Sequence, residues 1–549
     1  MVPPFERAEA LQRLASEPLD VLVIGGGITG AGCALDAASR GLRTGLVERD
    51  DFAAGTSSKS SKLVHGGIRY LQQREFVLVY EGLAERQHAL RNAPHLVRVL
   101  PFLIPILAKD GLIDRRVARA LGGAMWMYDL TGGLRIRKLH QRIDRDQAVA
   151  LMPTLRASNV ASAYLYYDAQ TDDARLTLCL ARTAAAHGAA VANRVTVVGL
   201  LKDPRSAVRG ATVRADGVEF EIQARTVVNA TGVWSDTVRT LDEGTNPDSI
   251  RPAKGVHITV PWAKVRNEIA AIVPVPGDRR SVFVVPWGDF TYIGTTDTDY
   301  DGPIDDPQCT PGDVEYLLKA LNRAITEPLG VADITGTWAG LRPLLRTASS
   351  ERTADLSRRH GVRVSASNVI TVTGGKLTTY RRMASDTIDQ VGRILRKRAK
   401  SHTQRLGLLG SDGFHAPPAT PERASIHEHL AGRYGTEADA VLGLLRDEPS
   451  LRAPLVPGLP YLKAEAIHAV RHEMAGTLDD VLARRTRARL LARDASRAAA
   501  EDVARLLAPE LGWDDARVAR EVDAYRSACD RERGSADLPE TALDASLGT

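Results

Sequence analysis

The sequence predicts an α/β chain in which a Rossmann-like first domain is threaded through a second domain of mixed β-sheet and followed by an all-helical C-terminal domain. Three observations carry this. A short β-branched apolar run leads straight into a glycine-rich turn and a helical pattern. Two later groups of apolar, alternating segments read as strands. Beyond Pro421 the chain becomes rich in Ala, Leu, Arg and Glu at helical spacing. With 549 residues, 44% hydrophobic and 25% charged, the chain can bury several cores.

Leu19–Ile24 (LDVLVI) reads as the first strand, Gly25 to Gly32 (GGGITGAG) as a tight turn opening a helix, and Arg43–Val47 (RTGLV) as a second strand ending on Glu48. That completes a βαβ unit within about 30 residues. Gly25, Gly27 and Gly30 form GxGxxG in the setting it requires, where glycines permit the turn and let backbone approach a pyrophosphate at the helix N-terminus. Ile28 and Thr29 lie in the same turn. Glu48 sits where a carboxylate accepts hydrogen bonds from an adenosine ribose. Strand, turn, helix and acid together predict a dinucleotide site, and the fingerprint serves NAD and FAD alike.

Segments around Asn193–Leu200, Thr212–Ala224 and Arg225–Ala230 read as strands returning to the first sheet, while Ser281–Val285 and Phe290–Gly294 belong to a second, sheet-based domain. The chain re-enters the first domain near Gly361–Tyr380. Residues 1–95, 150–250 and 346–400 are thus assigned to the first domain, 96–149 and 251–345 to the second, and 401–549 to the third. Gly410–Pro421 reads as a linker, and Ala464–Met474 and Asp479–Leu491 as helices.

Several classes are disfavoured. The apolar stretch Val99–Ala108 is broken by Pro101 and Pro105 and falls far short of the roughly 20 residues that span a bilayer, so membrane contact is expected to be peripheral. Met1–Asp20 is polar and mixed in charge, without the apolar centre of a secretory leader, which predicts a cytoplasmic protein. Cys33, Cys179, Cys309 and Cys529 are scattered without metal-ligand spacing, so no metal centre is expected. A net charge of +5 over this length is a weak field, and with 5% aromatic residues no nucleic-acid partner is expected.

Two later turns either bring backbone towards the same ligand or are ordinary junctions of strand and turn. Val227–Gly232 (VVNATG) ends in Ala230, Thr231 and Gly232, and Val369–Val372 (VITV) runs on to Gly375, Lys376, Leu377 and Thr378. A third segment, Gly55–Leu71 (GTSSKSSKLVHGGIRYL), could be a solvated loop. Its apolar Leu63, Val64, Ile68, Tyr70 and Leu71 suit packing against a flat ring better. It supplies Thr56, Ser57, Ser61, Lys62, Leu63, His65, Gly66 and Gly67 as cofactor contacts.

SSKLVHGGIRYL (Ser60–Leu71), DDARLTL (Asp172–Leu178), VNATGVWSD (Val228–Asp236), KGVHITVP (Lys254–Pro261), GTTDTDY (Gly294–Tyr300), GLRPL (Gly340–Leu344) and GGKLTTYRRMA (Gly374–Ala384) resemble the FAD-dependent glycerol-3-phosphate dehydrogenase family. Glu465–Arg487 is similar to that family's helical C-terminal domain. The resemblance implies a fold of the glycine- and D-amino-acid-oxidase type, with FAD extended along the first domain and a substrate pocket over the isoalloxazine ring. It implies oxidation of sn-glycerol 3-phosphate to dihydroxyacetone phosphate, a membrane quinone as acceptor, and peripheral attachment to the cytoplasmic membrane face. A homodimer is the candidate assembly. The nearest alternative is a glycerol-3-phosphate oxidase that reduces oxygen to peroxide. By the same resemblance such oxidases carry an insertion, and no extra segment is evident between Tyr300 and Thr337. An amino-acid-oxidising flavoprotein would need no second cation.

A phosphate dianion calls for more than one cation, and arginine's planar fork suits it. Family position and charge nominate Arg69, Arg342 and Lys376. Hydride transfer from the carbinol carbon requires the hydroxyl proton to leave, and His65 is the nominated base, with His257 as rival. Tyr70 and Thr378 are nominated for the substrate hydroxyls, and His65, Arg342 and Lys376 as the catalytic set. Asp299 stands where many family members carry Glu. Arg484, Arg485, Arg487 and Arg489 are expected on a solvated helix face, with lipid headgroups, nearby acids or a subunit contact as alternatives.

Overall fold

The computed structural model describes residues 5–68, 75–107, 122–123, 125–133, 136–278, 280–346, 360–397, 399–415, 426–541 and 543. After helix α1 (Arg7–Ser16), strand β1 (Val21–Ile24) is buried along its whole length, as expected of a strand covered on both faces. Helix α2 (Ile28–Ser39) follows from Gly27, and β2 (Thr44–Val47) pairs in parallel with β1, Val21 opposite Thr44 and Ile24 opposite Val47. Val227–Asn229 flanks β1 on the other side, Val369–Gly374 lies beyond it, and Ala190–Ala192 flanks β2. Antiparallel His360–Val364 completes a six-stranded sheet. The parallel order puts the C-terminal ends of β1, β2 and Val227–Asn229 along one edge, where ligands of open α/β sheets bind.

Among the described residues a ten-stranded mixed sheet forms the second layer. Its spine is Ile250–Pro261 paired antiparallel with Gly336–Leu345 on one side and Phe290–Gly294 on the other. This register sets His257 opposite both Trp338 and Gly294, and Arg342 opposite Ala253. Ser281–Trp287, Ala270–Pro274 and Val97–Leu107 extend the sheet.

Two of the predicted assignments are corrected. Val160–Thr171, placed in the first domain, pairs with Val97–Leu107 over its whole length, and Leu63–Val64 pairs with it in turn, so both belong to the larger sheet. Thr196–Lys202, Val208–Ala215 and Val218–Gln223 do not return to the first sheet but form a separate three-stranded antiparallel sheet. Asp216 and Gly217, both with positive φ, turn the last two into a tight hairpin, and a connection that short cannot continue a parallel sheet.

The C-terminal region is helical: Lys463–Glu473, Ala500–Leu511 and Asp515–Ser535 surround a core that includes Val481, Leu482, Leu507 and Tyr525, and Ile426–Tyr434 and Ala438–Asp447 pack in a second core with Leu430, Val441 and Ile467. The helix predicted over Asp479–Leu491 is broken. A π-helical turn (Asp480–Arg485) and a short helix (Ala488–Leu491) are separated by the non-helical Thr486 and Arg487, and Arg485 and Arg487 reach acids of the first domain. The second half of the predicted linker lies outside the described residues. No helix among the described residues is long and apolar enough to cross a membrane.

Because β2 is paired on both sides and Leu46 is wholly buried, Leu46→Ala should destabilise the protein by about 2–5 kcal/mol. Guanidinium unfolding followed by circular dichroism measures this, and a loss below about 1 kcal/mol would contradict the burial of the strand.

Candidate active site

A cavity of about 830 Å³ runs from the glycine turn to the large sheet. At its first end Gly25, with φ of +107°, lies so close to Ala230 that a Cβ would sit 2.8 Å from the Ala230 carbonyl oxygen. A Cβ on Gly30 would overlap the carbonyl of Gly25, so Gly30 closes the turn from behind without lining the cavity. Glu48, at the end of β2, accepts hydrogen bonds from the amides of Gly26 (2.6 Å) and Asp50 (2.8 Å), and burial pushes its carboxyl up to about 7 despite both bonds. Ser57 Oγ accepts from the amide of Ile28 at 2.9 Å, capping helix α2 where an anion would be bound.

Gly25, Gly27, Ile28, Thr29, Glu48, Thr56, Ser57, Ser61, Leu63, His65 and Gly67 all line this cavity, as do Ala230, Thr231, Gly232, Gly375, Lys376, Leu377 and Thr378. Arg342 and His257 line its far end. Arg342 lies across Gly255, diagonal to it on the paired strand, where a Cβ would stand 2.6 Å from the guanidinium. Its fork donates to Asp297 Oδ1 (2.8 Å) and Thr295 Oγ1 (3.1 Å).

His257 is stacked on Trp338, ring centroids 4.8 Å apart, with Nε2 2.9 Å from Ser61 Oγ. Burial, reinforced by Lys62 and Arg342, holds its pKa well below the ordinary range, so the ring is neutral. Its Nδ1 is buried and without a hydrogen-bond partner in the protein. His65 meets Phe283 edge-on, and its backbone is pinned at both N–H and C=O by the hydroxyl of Thr378 (3.1 and 3.3 Å).

Besides Gly30, two nominated cofactor contacts do not line the cavity. Lys62 turns away from the cavity, its ammonium buried against Asp173 (2.8 Å) and the Ser58 carbonyl (3.0 Å). Gly66 faces Leu83 and Tyr128 instead, its amide donating to Tyr128 Oη (3.1 Å). The Thr378 hydroxyl lines the cavity while bonded to the His65 backbone. Asp299 ion-pairs with Arg251 at 2.6 Å and does not line the cavity. Arg69 and Tyr70 lie outside the described residues.

Arg280, Asp297, Lys59 and Phe283 also line the cavity and were not foreseen. Asp297 sits inside the quoted GTTDTDY, and a buried acid beside a pocket arginine could have been sought there. Arg280, whose guanidinium donates to the Asp297 carbonyl (2.6 Å) and pairs with Asp278, left no comparable trace.

The cavity fits FAD. Side-chain-free backbone at Gly25 and Gly27 leaves room for a pyrophosphate beside the α2 N-terminus, Glu48 is placed for a ribose, and the orphaned His257 Nδ1 borders the far end, where a ring would lie.

The model of FAD-dependent oxidoreductases (DAO) matches residues 20–380, and that of the C-terminal domain of alpha-glycerophosphate oxidase matches residues 401–518. A glycerol-3-phosphate dehydrogenase of Mycobacterium leprae is 42% identical over 98% of this chain and 92% of its own length. The chain belongs to the FAD-dependent glycerol-3-phosphate dehydrogenase family. A mitochondrial glycerol-3-phosphate dehydrogenase of Homo sapiens is 36% identical, covering 99% of this chain and 77% of the relative. The solved structure of the glycerol-3-phosphate dehydrogenase from Bacillus halodurans, complexed with FAD, is 30% identical with a TM-score of 0.77, covering 98% and 99% of the two chains. FAD is therefore the cofactor, and the fold is of the glycine- and amino-acid-oxidase type.

In the FAD-free protein, the raised pKa of Glu48 means that its contribution to stability is fully present below the ordinary 4.5 and is lost as pH rises through about 7. Glu48→Gln should flatten that fall by on the order of 2 kcal/mol. Urea unfolding of the stripped protein across this window measures it, and an unchanged pH slope would refute the assignment.

Proposed function

We propose that the chain oxidises sn-glycerol 3-phosphate to dihydroxyacetone phosphate and that the electrons leave to a membrane quinone. The observation that carries the reading is convergence: Arg342, Lys376 and His65 come from three distant stretches of sequence and line one cavity with the glycine turn.

Arg342 and Lys376 supply two cations for the phosphate dianion, and Asp297 with Thr295 holds the guanidinium in a fixed plane. Arg280 adds a third positive charge, partly offset by Asp278. His65 takes the proton of the secondary hydroxyl as the carbinol hydrogen departs as hydride, leaving the ketone. FAD supplies the acceptor for that hydride when bound. The Thr378 hydroxyl fixes the His65 backbone, and the neutral His257, walled by Trp338, keeps a second positive charge away from the base. His65 thus suits proton transfer better than His257, whose burial beside Lys62 and Arg342 opposes protonation.

Support for a lipid-soluble acceptor comes from the surface beside the cavity mouth. Helix Phe76–Asn92 exposes Phe76, Val77 (70% exposed) and Tyr80, and its first-turn neighbours Glu75 and Leu78 line the cavity. The segment Asp129–Gly133 packs on that helix, and with Trp126 and Met127 just before it adds further exposed apolar residues, Leu130 among them (66% exposed). An apolar patch continuous with a redox cavity suits contact with a bilayer surface.

The test is an anaerobic titration of the yellow holoprotein with sn-glycerol 3-phosphate. Bleaching of the oxidised flavin band, reversed by a soluble quinone and giving little peroxide in air, is the expected result. Rapid peroxide formation would instead favour an oxidase, and no bleaching with FAD bound would refute the substrate.

Arg342→Ala should raise KM for glycerol 3-phosphate by about 10–100-fold with FAD content unchanged. Steady-state kinetics decide it, and a wild-type KM would remove Arg342 from the phosphate site.

A further inference from the structure

No residue of the helical C-terminal region lines the cavity among the described residues, yet its arginines reach the two segments that do. The Arg484–Arg489 stretch, expected on a solvated face, is largely buried, with Arg487 1% exposed. Arg485 forms a two-pronged pair with Asp51 (2.7 and 2.8 Å), and Arg484 adds a third bond to the same carboxylate (2.7 Å). Asp51 belongs to the loop after Glu48. On that loop the Phe52 ring presses on Gly26, and the Ala53 amide donates to the Gly26 carbonyl (3.1 Å).

Arg487 binds Asp172 (2.5 Å) and Asp173. The same Asp173 Oδ1 accepts from the Lys62 ammonium (2.8 Å), and Oδ2 accepts from the Ser60 amide (3.0 Å) and the Ser60 hydroxyl (2.7 Å). Between those two residues lies Ser61, hydrogen-bonded to His257, and Ser60 and Ser61 both line the cavity. Each arginine therefore stands one carboxylate away from a wall of the cofactor cavity.

A different pair between the same regions makes the contrast. Arg182 and Glu437 form an equally well-formed two-pronged pair (2.7 and 3.0 Å) further along the helix that Asp173 opens, but neither residue lines the cavity and their bonds do not run on to a residue that does. Docking alone would need only pairs of that kind.

We propose that Arg485 and Arg487 are positioning residues for FAD, and that the C-terminal region acts through Asp51 and Asp173 as a clamp on the glycine-turn loop and the Ser60–Lys62 turn. The clamp concerns cofactor retention and does not depend on the identity of substrate or acceptor.

The experiment compares Arg485→Lys, Arg487→Lys and Glu437→Gln holoproteins in buffer without substrate or acceptor. It measures FAD release by the fluorescence of freed FAD, together with melting temperature. Lysine keeps the charge but loses the fork, so both lysine variants are expected to release FAD about tenfold faster or more. Glu437→Gln should melt earlier yet keep FAD at the wild-type rate. Added guanidinium should slow release from Arg487→Ala towards wild type. Wild-type retention by both lysine variants, or equally fast release by Glu437→Gln at the same loss of melting temperature, overturns the proposal. Should the arginine variants not fold, Ser60→Ala breaks the same chain of bonds at its far end. It must then speed release several-fold, and wild-type retention by Ser60→Ala overturns the proposal equally.

Discussion

The whole arrangement depends on a close approach of backbone to backbone that only glycine permits. The Gly25–Gly30 turn lies against Ala230 and Thr231 on one side and closes on itself on the other, with the Glu48–Ala53 loop hydrogen-bonded to both the N–H and the C=O of Gly26. Any Cβ at Gly25 or Gly30 would collide with backbone, which cannot swing aside as a side chain can. The turn fixes where α2 begins, and the start of α2 fixes where the cavity's anion-binding end lies. The six-stranded sheet supplies the platform, since three parallel strands ending at one edge bring Glu48, Ala230 and the Gly374–Lys376 turn towards one space.

Buried charge frames the rest of the cavity. Arg86, with no exposed side-chain surface, pairs with Asp168 (2.6 Å), and Tyr128 donates to the same carboxylate (2.7 Å) and accepts from the Gly66 amide next to His65. Lys62 and Arg487 share Asp173 on the other side of the same segment. Burying such ions costs several kcal/mol each before their attraction is counted, so packed apolar residues would serve stability as well. What ions add is direction. A carboxylate with three donors has one orientation, and the Ser60–Gly67 segment is held between two of them.

Legibility in the sequence followed the range of the interaction. The glycine turn and Glu48 could be read because their requirement is local: a missing side chain at fixed spacing and an acid at the end of the next strand. Arg342 and Lys376 could be nominated from charge and motif, whereas Asp297, which orients Arg342, looked like one more polar residue of a turn. Val160–Thr171 was assigned to the wrong sheet because its partner strand lies about sixty residues earlier and nothing in its own alternation names that partner. The arginines at 484–489 read as solvated because a run of charge usually is. Arg484 and Arg489 do meet the nearby Asp479, but the acids of Arg487 stand more than 300 positions away at Asp172 and Asp173, and that of Arg485 more than 430 away at Asp51.

The electron acceptor is written in a different place from the chemistry. The fold extends to an alpha-glycerophosphate oxidase of Mycoplasma pneumoniae, 16% identical at a TM-score of 0.54, and to a glycine oxidase of Geobacillus kaustophilus, 20% identical at 0.50. Likeness at that level concerns the fold alone, and a framework shared with oxidases cannot by itself choose between oxygen and quinone. Oxygen is small and reaches a flavin by diffusion without a docking surface. A lipid-soluble quinone must be met where it dissolves, so its enzyme needs an apolar exterior continuous with the redox cavity. Exposed Phe76, Val77 and Tyr80 would be a liability on a surface facing only water, and they lie on the helix whose Leu78 turns inward to line that cavity. The reading of a quinone acceptor therefore rests on the outside of one helix, and that of a phosphate-bearing substrate on the inside of the cavity it borders.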